Sequence, residues 1–257
     1  MWDENSDNDE GFFVSDEYFT KFDLPLSIYG LKTLEALKLF SCNFDASMFK
    51  SFGSLRHLSL GRIELSSSSL KALVENCAVL ESLSLKRCWN TGVIEIKGAS
   101  LRLESLSIDK CHVIHSWITI EAPNLRFFKY CGEFCTFELN STGRIDEVVL
   151  DFGLQSEFGE VGPLLSELFR DFYAAKVLTV CSFILQAIPT SEEPLGLKPC
   201  LHVKHLILKT AMHENELYGV RFFLNSCPYL ETLTIDIDPA KRIFEVSIQN
   251  LINFLLN

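Results

Sequence analysis

Two stretches decide how this chain is read: Leu80-Glu-Ser-Leu83-Ser-Leu85-Lys-Arg-Cys88 and Leu103-Glu-Ser-Leu106-Ser-Ile108-Asp-Lys-Cys111. Each alternates apolar and polar residues across its middle, which is the period-two signature of a strand with one face buried. The pattern returns along the chain. Earlier copies begin at Leu34 and Leu55, and looser ones begin at Leu125, Ile145, Ala175, Val203 and Leu230. The eight intervals between these nine starting points run from 20 to 30 residues with a mean of 24.5. A fixed period of this size means that each unit buries its apolar ridge against its neighbours, so that no unit is stable alone.

The period falls inside the range of about 20 to 29 residues expected of leucine-rich repeats. The sequence therefore predicts an α/β leucine-rich-repeat solenoid, a horseshoe with a parallel concave sheet and a convex side of mixed helices and short strands. Ser66 to Cys77 places Leu70, Leu73, Val74 and Cys77 at helical spacing behind a run of serine N-caps, and it predicts an amphipathic return helix. Pro163 to Tyr173 and Glu214 to Cys227 read the same way. Between Cys88 and Leu150 the returns alternate instead, at Val93–Ile96, Trp117–Ile120 and Phe134–Leu139, which predicts short convex strands. Pro189, Pro194 and Pro199 predict an irregular loop near residues 187–200.

Charge divides the chain in two. The formal net charge is −11. Residues 1–23 carry eight acids (Asp3, Glu4, Asp7, Asp9, Glu10, Asp16, Glu17, Asp23) against Lys21, so −7 of the total lies in this stretch. It reads as an acidic, disordered arm, followed by a repeat domain of about nine irregular units over 24–257. The body then carries −4, which lacks the basic excess needed to displace counterions from phosphates, so no nucleic-acid partner is expected. The acidic start lacks the basic and apolar sections of a secretory peptide, and Val177 to Ile188 is too short for a bilayer. The expectation is no membrane partner and a cytoplasmic and/or nuclear location. Asn140-Ser141-Thr142 matches the glycosylation pattern, which has no use without a secretory route.

The cysteines fall into the period. Position nine of the unit is Cys42, Cys88 and Cys111, and three residues before the first apolar position come Cys77, Cys200 and Cys227. With L-E-x-L-x-L-x-x-C units, an N-S-C-P-x-L-E-x-L unit at Asn225–Leu233 and an opening stretch Leu24-Pro-Leu-Ser-Ile-Tyr-Gly-Leu-Lys-Thr-Leu-Glu-Ala-Leu-Lys-Leu39, residues 24 to 237 resemble the repeats of the plant F-box/LRR family. The resemblance implies the substrate-recognition part of an SCF-type ubiquitin ligase. In that arrangement an F-box grips the adaptor of a cullin scaffold while the repeats hold a protein substrate. Residues 1–23 are too acidic for the helices of an F-box, so adaptor and cullin are expected only if an F-box is supplied outside this chain. Two other readings stay open: a truncated regulatory or structural repeat protein without ligase docking, and a small-ligand-sensing repeat receptor.

No catalytic constellation emerges, and no cofactor is expected. The chain has no glycine-rich phosphate loop, no H-E-x-x-H and no G-x-S-x-G. Cys111-His112-x-x-His115 with Cys131-x-x-x-Cys135 holds zinc-type ligands but matches no recognised finger spacing. Strand parity points Cys131 and Cys181 toward the open face, without a base to activate either thiol. Nine cysteines, odd in number and mostly in core register, argue for a reducing compartment.

The third, fifth and seventh positions of each unit should face the concave side. From these the candidate partner-binding residues are Phe40, His57, Lys86, Asp109, Phe127, Lys129, Glu147, Asp151, His205 and Lys209. Phe40 and Phe127 are the expected apolar anchors, because aromatic side chains supply much of the energy at protein interfaces.

Overall fold

A computed structural model describes residues 22–98, 100–113, 117–140, 144–153, 162–188 and 200–237. The elements in chain order are β1 (Phe22–Asp23), α1 (Leu26–Tyr29), β2 (Ala36–Phe40), β3 (Cys42–Asn43), a 3-10 turn at Ala46–Ser51, β4 (His57–Gly61), α2 (Ser67–Asn76) and β5 (Ser82–Lys86). Next come β6 (Ile94–Lys97), β7 (Ser105–Asp109), β8 (Trp117–Glu121), β9 (Phe127–Gly132), β10 (Thr136–Leu139) and β11 (Glu147–Phe152). The last part holds α3 (Gly162–Asp171), β12 (Val177–Val180), α4 (Ser182–Ala187), β13 (His205–Thr210), a 3-10 turn at Glu214–Glu216, α5 (Leu217–Ser226) and β14 (Thr232–Ile237).

The strands of the nine repeats form one parallel sheet in the order β14-β13-β12-β11-β9-β7-β5-β4-β2. Every unit pairs in the same register. Leu37, Leu58, Leu83, Leu106, Phe128, Val148, Leu178, Leu206 and Leu233 therefore lie side by side across all nine strands. Leu39, Leu60, Leu85, Ile108, Tyr130, Leu150, Val180, Leu208 and Ile235 form the second apolar row. A slip of one residue would turn both rows out to solvent, so the burial pattern fixes the register. In the interior strands the two rows are almost entirely buried. At β14, which has one neighbour among the described strands, Leu233 is 38% exposed.

A second layer covers this apolar side. The three convex strands predicted from alternation are β6, β8 and β10, and they form a parallel sheet in the order β10-β8-β6 with Ile94, Ile96, Ile118 and Ile120 buried. The three predicted return helices are α2, α3 and α5. Helix α2 starts where the serine run places it: the Ser66 side chain accepts from Ser69 N at 3.1 Å, and the hydroxyl of Ser67 donates to the carbonyls of Thr91 and Val93 at 2.6 and 2.8 Å. Helix α4 was not expected. Its run Ser182–Ala187 reads as a continuous apolar stretch, and periodicity cannot tell a short buried helix from a strand. The loop expected near 187–200 lies mostly outside the described residues, as do residues 1–21 of the expected arm. Phe22 and Asp23, the last two residues of that stretch, pair with Cys42 and Asn43.

An acidic side chain is built into the core. Glu216 is buried, accepts from the amide of Gln186 and from the backbone of Ala211 at 3.4 Å each, and also accepts from the hydroxyls of Ser182 and Thr210. Burial without these donors would be costly, and the four of them tie α4, β13 and the turn before α5 to one carboxylate.

Candidate functional site

Because one face of the nine-stranded sheet is committed to the core, the other carries three rows of side chains from the third, fifth and seventh positions of the units. Five serines, Ser59, Ser82, Ser84, Ser105 and Ser107, form a small polar floor over β4, β5 and β7. All five are half-buried. The expected partner-binding residues stand around and beyond this floor. Phe40 is 60% exposed, His57 and Lys86 are exposed, and Asp109, Phe127, Lys129, Glu147, Asp151, His205 and Lys209 are half-buried. Register brings Lys86 beside Asp109, and Phe127 between Ser105 and Glu147. The ten do not form one cluster. They extend from β2 to β13, across eight of the nine strands.

Phe40 owes its position to its neighbour. Its cross-strand partner is Gly61, and a Cβ there would lie 2.5 Å from the Phe40 ring, so the ring lies down over the adjacent strand. Arg62 adds a guanidinium 5.4 Å from the ring centroid. At the other end of the sheet, Lys209 Nζ meets Asp151 Oδ2 at 2.9 Å across the intervening repeat. Burial of Lys209 opposes its charge, yet Asp151, helped by Cys131 and Asp236, holds its pKa above the ordinary value. His205 Nε2 and Thr234 Oγ1 are 2.9 Å apart.

The thiols require one correction. Cys181 does not face the open side. It leaves the strand as the N-cap residue of α4 and is buried, where it accepts from Phe152 N at 3.2 Å. Parity failed because β12 ends at Val180, one residue before the position that parity was applied to. That vacated place is the gap Lys209 spans.

Cys131 does stand on the open face, paired in register with Asp109 and Asp151. Burial and these carboxylates push its thiol up to about 12. Cys111 and Cys135 are buried, His112 is exposed, and His115 lies outside the described residues. Among the described residues no group of three or more metal-ligating side chains converges. At neutral pH iodoacetamide should modify exposed Cys200 well before Cys131, whose thiolate population is depressed ~1,000-fold by the shift from its ordinary value. Peptide mapping of a labelling time course checks this, and equally fast labelling of Cys131 would make it a reactive thiol.

Two features escaped the sequence reading. The first is a row of left-handed residues at position eight of the first four units: Ser41, Arg62, Arg87 and Lys110, with φ of 51°, 47°, 52° and 50°. Non-glycine residues adopt this conformation rarely. Each here is held by an N–H that donates to the next strand, to Gly61, Lys86, Asp109 and Cys131 carbonyls at 2.6–2.9 Å. The period would have exposed the row, since the residues recur at one position, but their side chains carry no turn signal. The second is an edge ladder at position two, where Arg126 and Lys176 flank Asp146 at 3.2 and 2.7 Å, Lys204 meets Glu231 at 2.6 Å, and Arg56 meets Glu81.

The family model described as the LRR domain of At1g61320/AtMIF1 matches residues 13–251. In Arabidopsis thaliana, At5g54820, which carries an F-box/LRR-repeat designation, is 38% identical over 224 residues, covering 84% of this chain and 46% of the relative. The F-box protein At3g62230 is 35% identical over 225 residues, covering 87% and 48%. The FBD-associated F-box protein At1g61320 is 24% identical over 225 residues, covering 83% and 48%. The chain thus spans about half the length of these curated relatives. No solved structure matches.

Proposed function

This chain belongs to the At1g61320/AtMIF1 leucine-rich-repeat domain family, and on that premise we propose that it holds a protein partner on the open face of its nine-stranded sheet. One observation carries the reading: nine strands in a single register present solvent-facing rows in which an exposed phenylalanine and unlike charges border a floor of serines. At about 4.8 Å per strand, such a face is roughly 38 Å wide, broad enough for a standard protein interface. Behind part of it the second layer packs helices, which take more room per repeat than a strand does. On this reading the sheet bends into the concave side of a horseshoe-shaped solenoid, with residues 24–257 as its repeat domain and 1–23 as an acidic arm.

The relatives' names join an F-box to such repeats. On that basis we read the chain as the non-enzymatic recognition portion of an SCF-type ligase subunit, with adaptor and cullin engaged only through an F-box. The nine free thiols suit the cytoplasm or nucleus, where such ligases and a reducing medium occur together. Affinity purification from the native cells, scored by mass spectrometry, tests the ligase part. Recovery of cullin and adaptor with an enriched third protein is the expected result. A specific partner recovered without any ligase subunit would overturn the ligase assignment and leave recognition standing.

A further inference from the structure

The open face is not uniform in charge, although the body as a whole is mildly acidic. Over β2 to β9 its three rows carry Lys38, Lys86 and Lys129 against Asp109 alone, whereas over β11 to β14 they carry Glu147, Asp151 and Asp236 against Lys209. The left-handed row sharpens this. Arg62, Arg87 and Lys110 occupy one position in three consecutive repeats, so they stand one strand spacing apart at the ends of β4, β5 and β7. Lys86 precedes Arg87, and Asp109, opposite Lys86, is the acid nearest to these four bases in the register. Exposed Phe40 closes the strip at its β2 end, under the Arg62 guanidinium.

The chain's main store of negative charge enters beside this strip. Strand β1 runs parallel to β3 with Phe22 opposite Cys42, so the N-terminal end of β1 lies on the Ser41 side, next to the end of β2. From there Lys110, at the end of β7, is three strand spacings away, roughly 14 Å. Asp3, Glu4, Asp7, Asp9 and Glu10 lie 12 to 19 residues before Phe22. Extended chain of that length reaches about 40–60 Å, so the tether spans the strip with slack and confines the acids near it at high effective concentration.

We propose that the acidic segment Asp3–Glu10 docks on the strip of Arg62, Lys86, Arg87 and Lys110, so that a partner using this end of the open face must displace it. Docking itself needs only the two charged segments. The displacement rests on the recognition reading above.

Zero-length carbodiimide cross-linking of the full chain at low concentration, with peptide mapping of the monomer, tests docking without any partner and so stands apart from the purification experiment. Carboxylates of residues 3–10 should couple to Lys86 and Lys110 in preference to Lys38, Lys50 or Lys71. Changing Arg62→Ser together with Arg87→Ser should cut those links at least threefold, although both reacting lysines remain. Serine already occupies the equivalent place as Ser41 in the same conformation, and an unchanged melting temperature would show the fold intact. Links spread evenly over the lysines, or unaffected by the arginine changes, would overturn the proposal. Links confined to dimers would overturn it also, and would give the strip to the arm of a second copy.

Discussion

Replacing Phe128 by alanine is expected to lower the free energy of unfolding by about 4 kcal/mol. Phe128 is fully buried in β9, at the middle of the nine-stranded sheet. Its ring meets Phe137 edge-on at 5.3 Å and stacks with Phe172 at 5.8 Å, and Phe137 in turn touches Tyr130 at 5.2 Å. One side chain thereby joins the large sheet to the small one and to the residue that follows α3. Strands β7 and β11 hold β9 from both sides, so a cavity there cannot close. Urea denaturation followed by intrinsic fluorescence measures the loss. A change to leucine should cost less than about 1.5 kcal/mol, because most of the volume remains. An alanine loss as small as that of leucine would mean that the aromatic cluster does not couple the two layers.

Gly219→Ala should destabilise by about 3 kcal/mol, at the upper end of what overpacking a core costs. A Cβ at Gly219 would lie 2.6 Å from Leu185 Cα and 2.7 Å from its carbonyl carbon, with the oxygen nearer still. These are backbone atoms of α4, so relief requires α4 and α5 to move apart. The sign makes the test sharp. At a free site inside a helix the same substitution would stabilise by up to about 1 kcal/mol, since alanine is the better helix former. Thermal and urea unfolding of the single variant decide between the two, and a stabilised variant would show that the helices are not in contact at this glycine.

Gly219 also marks where sequence reading stops. The repeats were legible because their signal is local and periodic: Leu83 and Leu85, or Leu206 and Leu208, declare a half-buried strand within three residues, and nine copies leave one parallel architecture. The convex strands at Ile94–Lys97 and Trp117–Glu121 were legible for the same reason. Helix α4 was not, because Phe183, Ile184 and Leu185 are all buried and leave no polar stripe to show a period. Glu216 was missed because its donors, Ser182, Gln186 and Thr210, lie in other elements. The open-face rows followed from parity wherever the strand ran its full length. Parity misplaced Cys181, where the chain turns inward early to start a helix. The pairing of Lys209 with Asp151 was beyond reach, since it depends on that turn and joins residues two repeats apart.

The claim that the open sheet face is the recognition surface is tested most directly by comparing partner capture for two charge-changed forms of the full chain. One carries Lys86→Glu with Lys129→Glu on the open face, and the other carries Lys97→Glu with Glu138→Lys on the three-stranded sheet of the opposite layer. With melting temperatures matched, the account predicts at least a tenfold loss of capture for the first form, about 1.4 kcal/mol or more, and no change for the second. Loss confined to the second form, or equal capture by both, would place the partner elsewhere on the molecule and contradict the account.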